Sequence, residues 1–251
     1  MDLALIVIAV LGIAAIGSVV QSIAGMGFGL VATPVFVALF GPTEGVLWGN
    51  IVGMTTSAAL LFQKWRDIDW NVAIRFTVAS IPVIFATVFL TKDISRPVLN
   101  AVIGAIMLVM VAFAVMAPKL PKVEGRLPMY ITGVLGGFLS ASVSQAGPVM
   151  AAYARASQWP QKNFAATLQV YFLAMNFVNI PLKLSVGFGP KDSTIGWATF
   201  IAALVGIGVG TEVARRVAQR ITPKQARTFA MAIATVGASW VIVQGITGLI
   251  S

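Results

Sequence analysis

Ser18-Val-Val-Gln21-Ser22-Ile-Ala24-Gly25-Met-Gly27-Phe-Gly29 decides how the chain is read, because its skeleton, Ser-x-x-x-Ser-x-Ala-Gly, returns 122 residues later as Ser140-Ala-Ser-Val-Ser144-Gln145-Ala146-Gly147-Pro148. In both places a long apolar run breaks into small and polar residues and then resumes. A helix interrupted inside an apolar medium bares N–H and C=O groups that hydrocarbon cannot satisfy. Each break must therefore be buried in protein or face a watery cavity.

The surroundings are apolar. Of 251 residues, 58% are hydrophobic and 10% charged, against roughly 25% charged in soluble domains, and the mean hydropathy is +0.92. Apolar runs near or above about 18 residues recur from end to end, each long enough to cross a bilayer as a helix, and no period-two strand pattern occurs. The fold class read from this is all-α, a polytopic membrane helix bundle. With no cysteine and no histidine, disulfides, thiolates, imidazole bases and the usual transition-metal ligands drop out together, so neither a cofactor nor a metal is predicted. Leu3 to Val20 lacks the basic start of a signal peptide and reads as the first membrane helix.

Five apolar segments fall in each half. The first half gives Leu3 to Gln21, Gly27 to Phe40, Val46 to Phe62, Asn71 to Leu90 and Pro97 to Met116. The second gives Leu127 to Gln145, Pro148 to Ser157, Phe164 to Leu184, Thr194 to Thr211 and Lys224 to Ile250. An odd number per half inverts the second repeat, a recurrent plan among transporters. The organisation expected is a first repeat over 1–117, a cytoplasmic linker over 118–126 and a second repeat over 127–251, within one membrane domain.

The formal charge of +9 reads as orientation and not as nucleic-acid binding. Of the 17 lysines and arginines, only Lys92, Arg96, Lys183 and Lys191 fall on one side of the alternating connections. The rest collect on the other, which the positive-inside rule assigns to the cytoplasm, with both termini outside an inner (cell) membrane. Two segments are too short to span. At about 1.5 Å per residue, Gly27 to Phe40 and Pro148 to Ser157 cover about 21 and 15 Å, and charge counting cannot separate thin crossings from re-entrant hairpins.

Candidate binding residues follow from the breaks. A segment restarting at Gly27 or Pro148 presents uncapped N–H groups and a positive dipole end, which bind anions without a charged side chain. The alternative reading makes Ser18, Ser22, Ala24 and Gly25 small-residue packing surfaces. Polar side chains inside apolar runs are Gln21, Asn50, Thr55, Thr56, Ser57, Gln145, Thr167, Gln169, Tyr171, Asn176 and Asn179, each open to a role in ligand binding or as interhelical glue. The substrate-binding set selected is Gln21, Ser22, Gly25, Gly27, Asn50, Ser144, Gln145, Gly147, Gln169 and Arg155. Lys183 reads as a snorkelling residue at an outer helix end, and Glu212 as a surface partner of Arg215 and Arg216. Gly206-Ile-Gly208-Val-Gly210 follows no strand, so a dinucleotide loop is rejected.

These residues resemble the sulfite exporter TauE/SafE family. Ile23-Ala-Gly25-Met-Gly27-Phe-Gly29-Leu-Val-Ala-Thr-Pro34 is similar to its first glycine-rich signature, and Gln63-Lys-Trp-Arg-Asp-Ile-Asp69-Trp-Asn71 to its basic loop. Lys162-Asn-Phe164-Ala165-Ala-Thr167-Leu168 resembles its Phe-Arg-Ala-Thr-Leu region, with Ala165 where the pattern has Arg. The resemblance implies transport of small, often sulfur-containing anions, usually outward. The function expected is thus a membrane transporter of sulfite-like or organosulfur anions working by alternating access. An anion channel and a membrane-embedded enzyme are the alternatives. The partners expected are a small anionic substrate and the lipid bilayer, with a homo-oligomer left open and no nucleic acid.

Overall fold

A computed structural model describes residues 3–116, 122–123, 125–189 and 193–250. Most of the linker (117–121 and 124), residues 190–192 with Lys191 among them, and the terminal residues 1, 2 and 251 lie outside the described residues. The described residues form ten α-helices and no strand: α1 (Leu3–Ala24), α2 (Phe28–Phe40), α3 (Pro42–Lys64), α4 (Trp70–Thr91), α5 (Arg96–Met116), α6 (Leu127–Val143), α7 (Gly147–Ala156), α8 (Gln161–Ser185), α9 (Ser193–Val217) and α10 (Pro223–Ile250). Seven are long and apolar enough to cross a membrane, while α2 and α6 are shorter apolar helices. The outward faces carry Ile8, Ile74, Val109, Ile201, Val236 and Val243. Such a continuous apolar exterior suits lipid and not water.

Local chemistry sets the helix starts. The Asp69 carboxylate accepts the Val72 N–H at 3.2 Å and caps α4. Thr222 and Gln225 form a reciprocal capping box before α10, with the Thr222 N–H donating to Gln225 Oε1 at 2.8 Å and the Gln225 N–H to Thr222 Oγ1 at 3.2 Å. Pro42 occupies the first turn of α3, where its missing N–H is no loss.

Glycines bring helix pairs together. Side chains at Gly206 and Gly210 would strike the Leu11 and Ala15 carbonyls, whereas Gly208 faces open space, so the Gly-x-Gly-x-Gly run is the surface on which α9 lies parallel to α1. In the same way Gly133 and Gly137 lay α6 against Phe76 and Ser80 of α4. α5 and α10 pair antiparallel through Gly104 and Gly245. Each helix runs opposite to the one five places later, and the pairing of α1 with α9 is matched by that of α6 with α4. This is the inverted arrangement expected from the odd segment count.

Side-chain interactions define the two ends of the bundle. At the basic end Lys64 Nζ donates to the Ser22 carbonyl at 3.1 Å, Lys162 pairs with Asp67 at 2.9 Å, and Gln161 Nε2 donates to the Ala24 carbonyl at 3.2 Å. At the opposite end the α2–α3 turn, the end of α4, the start of α5 and the end of α8 surround a cavity. α1 starts from this opposite end and α2 returns to it. α6 starts from the basic end and α7 returns there, where the Val123 N–H donates to the Ala156 carbonyl at 3.0 Å. The short segments are therefore the return arms of two hairpins entering from opposite ends.

Candidate functional site

The two hairpin tips touch. A side chain at Gly29 would collide with the Ser144 carbonyl, and one at Gly147 would lie 3.1 Å from Met26 Sδ. Positive φ makes the sharp reversals possible: Gly25 at 77° and Gly27 at 117° in one tip, Ser144 at 54° in the other. Gly25 is the position most dependent on having no side chain, since a Cβ there would also sit 2.7 Å from Ala165 Cβ. Ser144 follows α6 in the left-handed conformation, and its N–H and that of Gln145 close the helix end on Ser140 and Leu139 carbonyls at 3.1 and 3.3 Å.

Between the tips lies a cavity of about 40 Å³, space for roughly three waters. Gly27, Phe28 and Gly29 of the first tip line it together with Ser144, Gln145, Ala146, Gly147 and Pro148 of the second. Gln21, Gly49, Gly53, Ser57, Ser140, Phe172 and Asn176 form much of the remaining wall. No side chain caps the start of either α2 or α7, so both bring free first-turn amides and a positive dipole end to this region. Gln145 is 2% exposed, yet neither its Nε2 nor its Oε1 has a hydrogen-bond partner. A buried amide left this way is costly unless something else meets it.

Two hydrogen-bond networks hold the wall. Gln21 Nε2 donates to Gln169 Oε1 at 2.9 Å and to Ser57 Oγ at 3.0 Å, while Gln169 Nε2 donates to the Gly25 and Ala165 carbonyls at 3.1 and 2.9 Å. Asn50 Nδ2 donates to Asn176 Oδ1 at 2.7 Å and to the Ser140 carbonyl at 3.3 Å. The first network fixes the α1 break against α3 and α8, and the second fixes the wall near the α6 break.

Of the residues selected from sequence, the structure brings Gln21, Gly27, Ser144, Gln145 and Gly147 to the cavity. Asn50 and Gln169 stand behind it as supports. Ser22 and Gly25 lie at the α1 break outside the lining, Ser22 giving its carbonyl to Lys64 and Gly25 its own to Gln169. Arg155 lies in a separate cavity of about 340 Å³ toward the basic end, together with Lys224 and Arg227. Leu30 and Pro148 line both cavities.

Lys183 needs correction. It does not snorkel: it is 1% exposed, and its Nζ donates to Asn50 Oδ1 at 2.6 Å. The signal that would have revealed it is spacing. Gln169, Asn176 and Lys183 recur every seven residues, which puts all three on one stripe of α8, and all three are buried. Glu212 is at the surface as read, bound to Arg215 and Arg216 at 2.9 and 2.8 Å.

Inverted helix hairpins meeting at a buried polar cavity within an apolar bundle define a polytopic membrane protein of the transporter class. The family model described as Sulfite exporter TauE/SafE matches residues 9–241, nearly the whole chain, and the chain belongs to that family of membrane transporters. No curated protein and no solved structure matches the chain.

Proposed function

We propose that the protein carries a small oxyanion, sulfite-like or an organosulfur anion, across the inner membrane at the meeting point of the two broken helices. The observation that carries this reading is Gln145: an amide with both polar atoms buried and unpartnered, in a cavity lined by two uncapped helix starts. Each helix start contributes roughly half an elementary positive charge, so two together approach the charge needed to hold a monoanion. Gln145, Ser57 and Asn176 would replace part of its hydration shell, with Gln21 holding Ser57 in place through its own N–H.

The repeats 1–117 and 127–251, joined by 118–126, would rock about this point to expose it alternately. The basic end faces the cytoplasm in this reading, with both termini outside, and the Arg155, Lys224 and Arg227 cavity gathers anions there for export.

Purified protein in liposomes, loaded with labelled sulfite, sulfate, sulfonates or carboxylates, tests the proposal. Saturable flux that is accelerated by anion on the far side and weakened by Gln145→Leu is the expected result. Flux that never saturates would instead make the protein a channel, and none with any anion would remove the proposal.

A further inference from the structure

Among the described residues one basic side chain, that of Lys183, is fully buried, and the mechanism above does not use it. Lys183 carries three N–H donors, and its hydrogen bond to Asn50 occupies one of them. None of the ion pairs among the described residues includes it. A charge inside a membrane domain is expensive and marks an ion pathway more often than a structural role.

Lys183 also opens onto space. It lines a cavity of about 80 Å³ at the end opposite the basic vestibule, with Thr43, Thr91, Ser142 and Phe188. That is room for about six waters, twice the central cavity. The connection inward runs through one side chain. Asn50 accepts from Lys183 through Oδ1 and donates through Nδ2 to Asn176 Oδ1 and the Ser140 carbonyl, both belonging to residues of the central wall.

We propose that Lys183 is the charged partner of a second small-anion subsite, in which an oxyanion released from the central cavity is held against its ammonium, while Thr91 and Ser142, whose hydroxyls donate to the Thr87 and Phe138 carbonyls, form polar wall only. The subsite extends the transport reading above and rests on it for its place in the path, while the local chemistry needs only an anion. Lys183, protonated when an anion is bound beside it, supplies there a charged side chain where the central cavity offers only helix ends. Because Asn50 binds both sites, occupation of one alters the hydrogen bonds available at the other.

The absence of cysteine makes a direct test possible. Thr43→Cys places a single thiol on the cavity wall, and its reaction rates with sulfonatoethyl and trimethylammonioethyl methanethiosulfonate are compared in membranes. With Lys183 present, the anionic reagent should react faster by on the order of tenfold, as a cavity focusing positive potential requires. Adding Lys183→Gln should bring the ratio toward one and Lys183→Arg should keep it. Sodium sulfate, an oxyanion that does not react with thiosulfonates, should slow the anionic reagent only when a cation occupies 183. A ratio that does not respond to Lys183→Gln overturns the subsite whatever the flux assay gives. A charge-dependent ratio in a protein without sulfite flux would leave the anion subsite standing and remove the transport reading alone. If Lys183→Gln fails to fold, the ratio at Thr43→Cys with the native lysine still decides, and equal rates for the two reagents would overturn the proposal.

Discussion

Gln21 Nε2 and Gln169 Oε1, 148 residues apart in sequence, meet at 2.9 Å inside the bundle. The bond ties the last turns of α1 to the third turn of α8 at the level where α1 stops. Gln169 then spends its own N–H groups on the Gly25 and Ala165 carbonyls, so the backbone laid bare by the break is satisfied by a side chain from the other repeat.

Removing Gln169 should accordingly unfold the protein more readily and not merely alter binding. Gln169→Leu leaves the Gly25 carbonyl and one Gln21 donor direction without partners, each costing roughly 1–3 kcal/mol when buried. Thermal unfolding in detergent should show a clear drop. Combined with Gln21→Leu the loss should be less than additive, since the two side chains share a bond, and additive losses would mean that they act separately.

Gln145 predicts the opposite pattern. Its amide has no protein partner to lose, so Gln145→Leu should leave the unfolding temperature unchanged or slightly higher. A hydrogen bond to a charged ligand is worth about 1.5–3 kcal/mol, so anion affinity measured by titration should fall by roughly tenfold or more. A variant that is destabilised yet binds normally would assign Gln145 to structure.

The breaks, the segment count and the neutral amides were legible from residue types alone, because lipid punishes an unsatisfied backbone wherever it occurs and few sequences can repeat such a break. Helix starts at Trp70 and Pro223 extend by a residue beyond the apolar runs because Asp69 and Thr222 act as polar caps. What composition does not encode is which side of a helix faces which neighbour. Asn50 and Gln169 are as polar as Gln145, yet their amides are already bonded within the protein and they support the wall instead of lining it. Lys183 sits two residues from the end of α8, where a lysine ordinarily reaches water. Only the hydrogen bond to Asn50, on a distant helix, turns it inward.

Gly25 and Gly208 give a sharp contrast within one residue type. Gly25→Ala must adopt φ near 77° and place a methyl 2.7 Å from Ala165 Cβ and 2.9 Å from Ala165 Cα, a strained conformation costing on the order of 1–3 kcal/mol before the clash is counted. Folded yield should collapse. Ala165→Gly should not restore it, because the backbone of residue 165 still stands in the way of the methyl and the positive φ remains. Gly208→Ala, with nothing near its Cβ, should be silent in the same assay, and equal behaviour of the two variants would refute the geometry at the α1 break.

Glu212, near the end of α9, is the carboxylate on which a proton-coupled mechanism is tested. Its side chain is 40% exposed and bound to Arg215 and Arg216, and exposed pairs of this kind contribute little. It also lies near the end of α9, away from the side chains that line the central cavity. Glu212→Gln should therefore leave both the unfolding temperature and the flux of labelled sulfite within error of the parent protein, with and without an imposed pH gradient. A loss of gradient-driven flux with basal exchange intact would identify Glu212 as a proton-transfer group. Coupling to pH would then run through a side chain of the carrier itself.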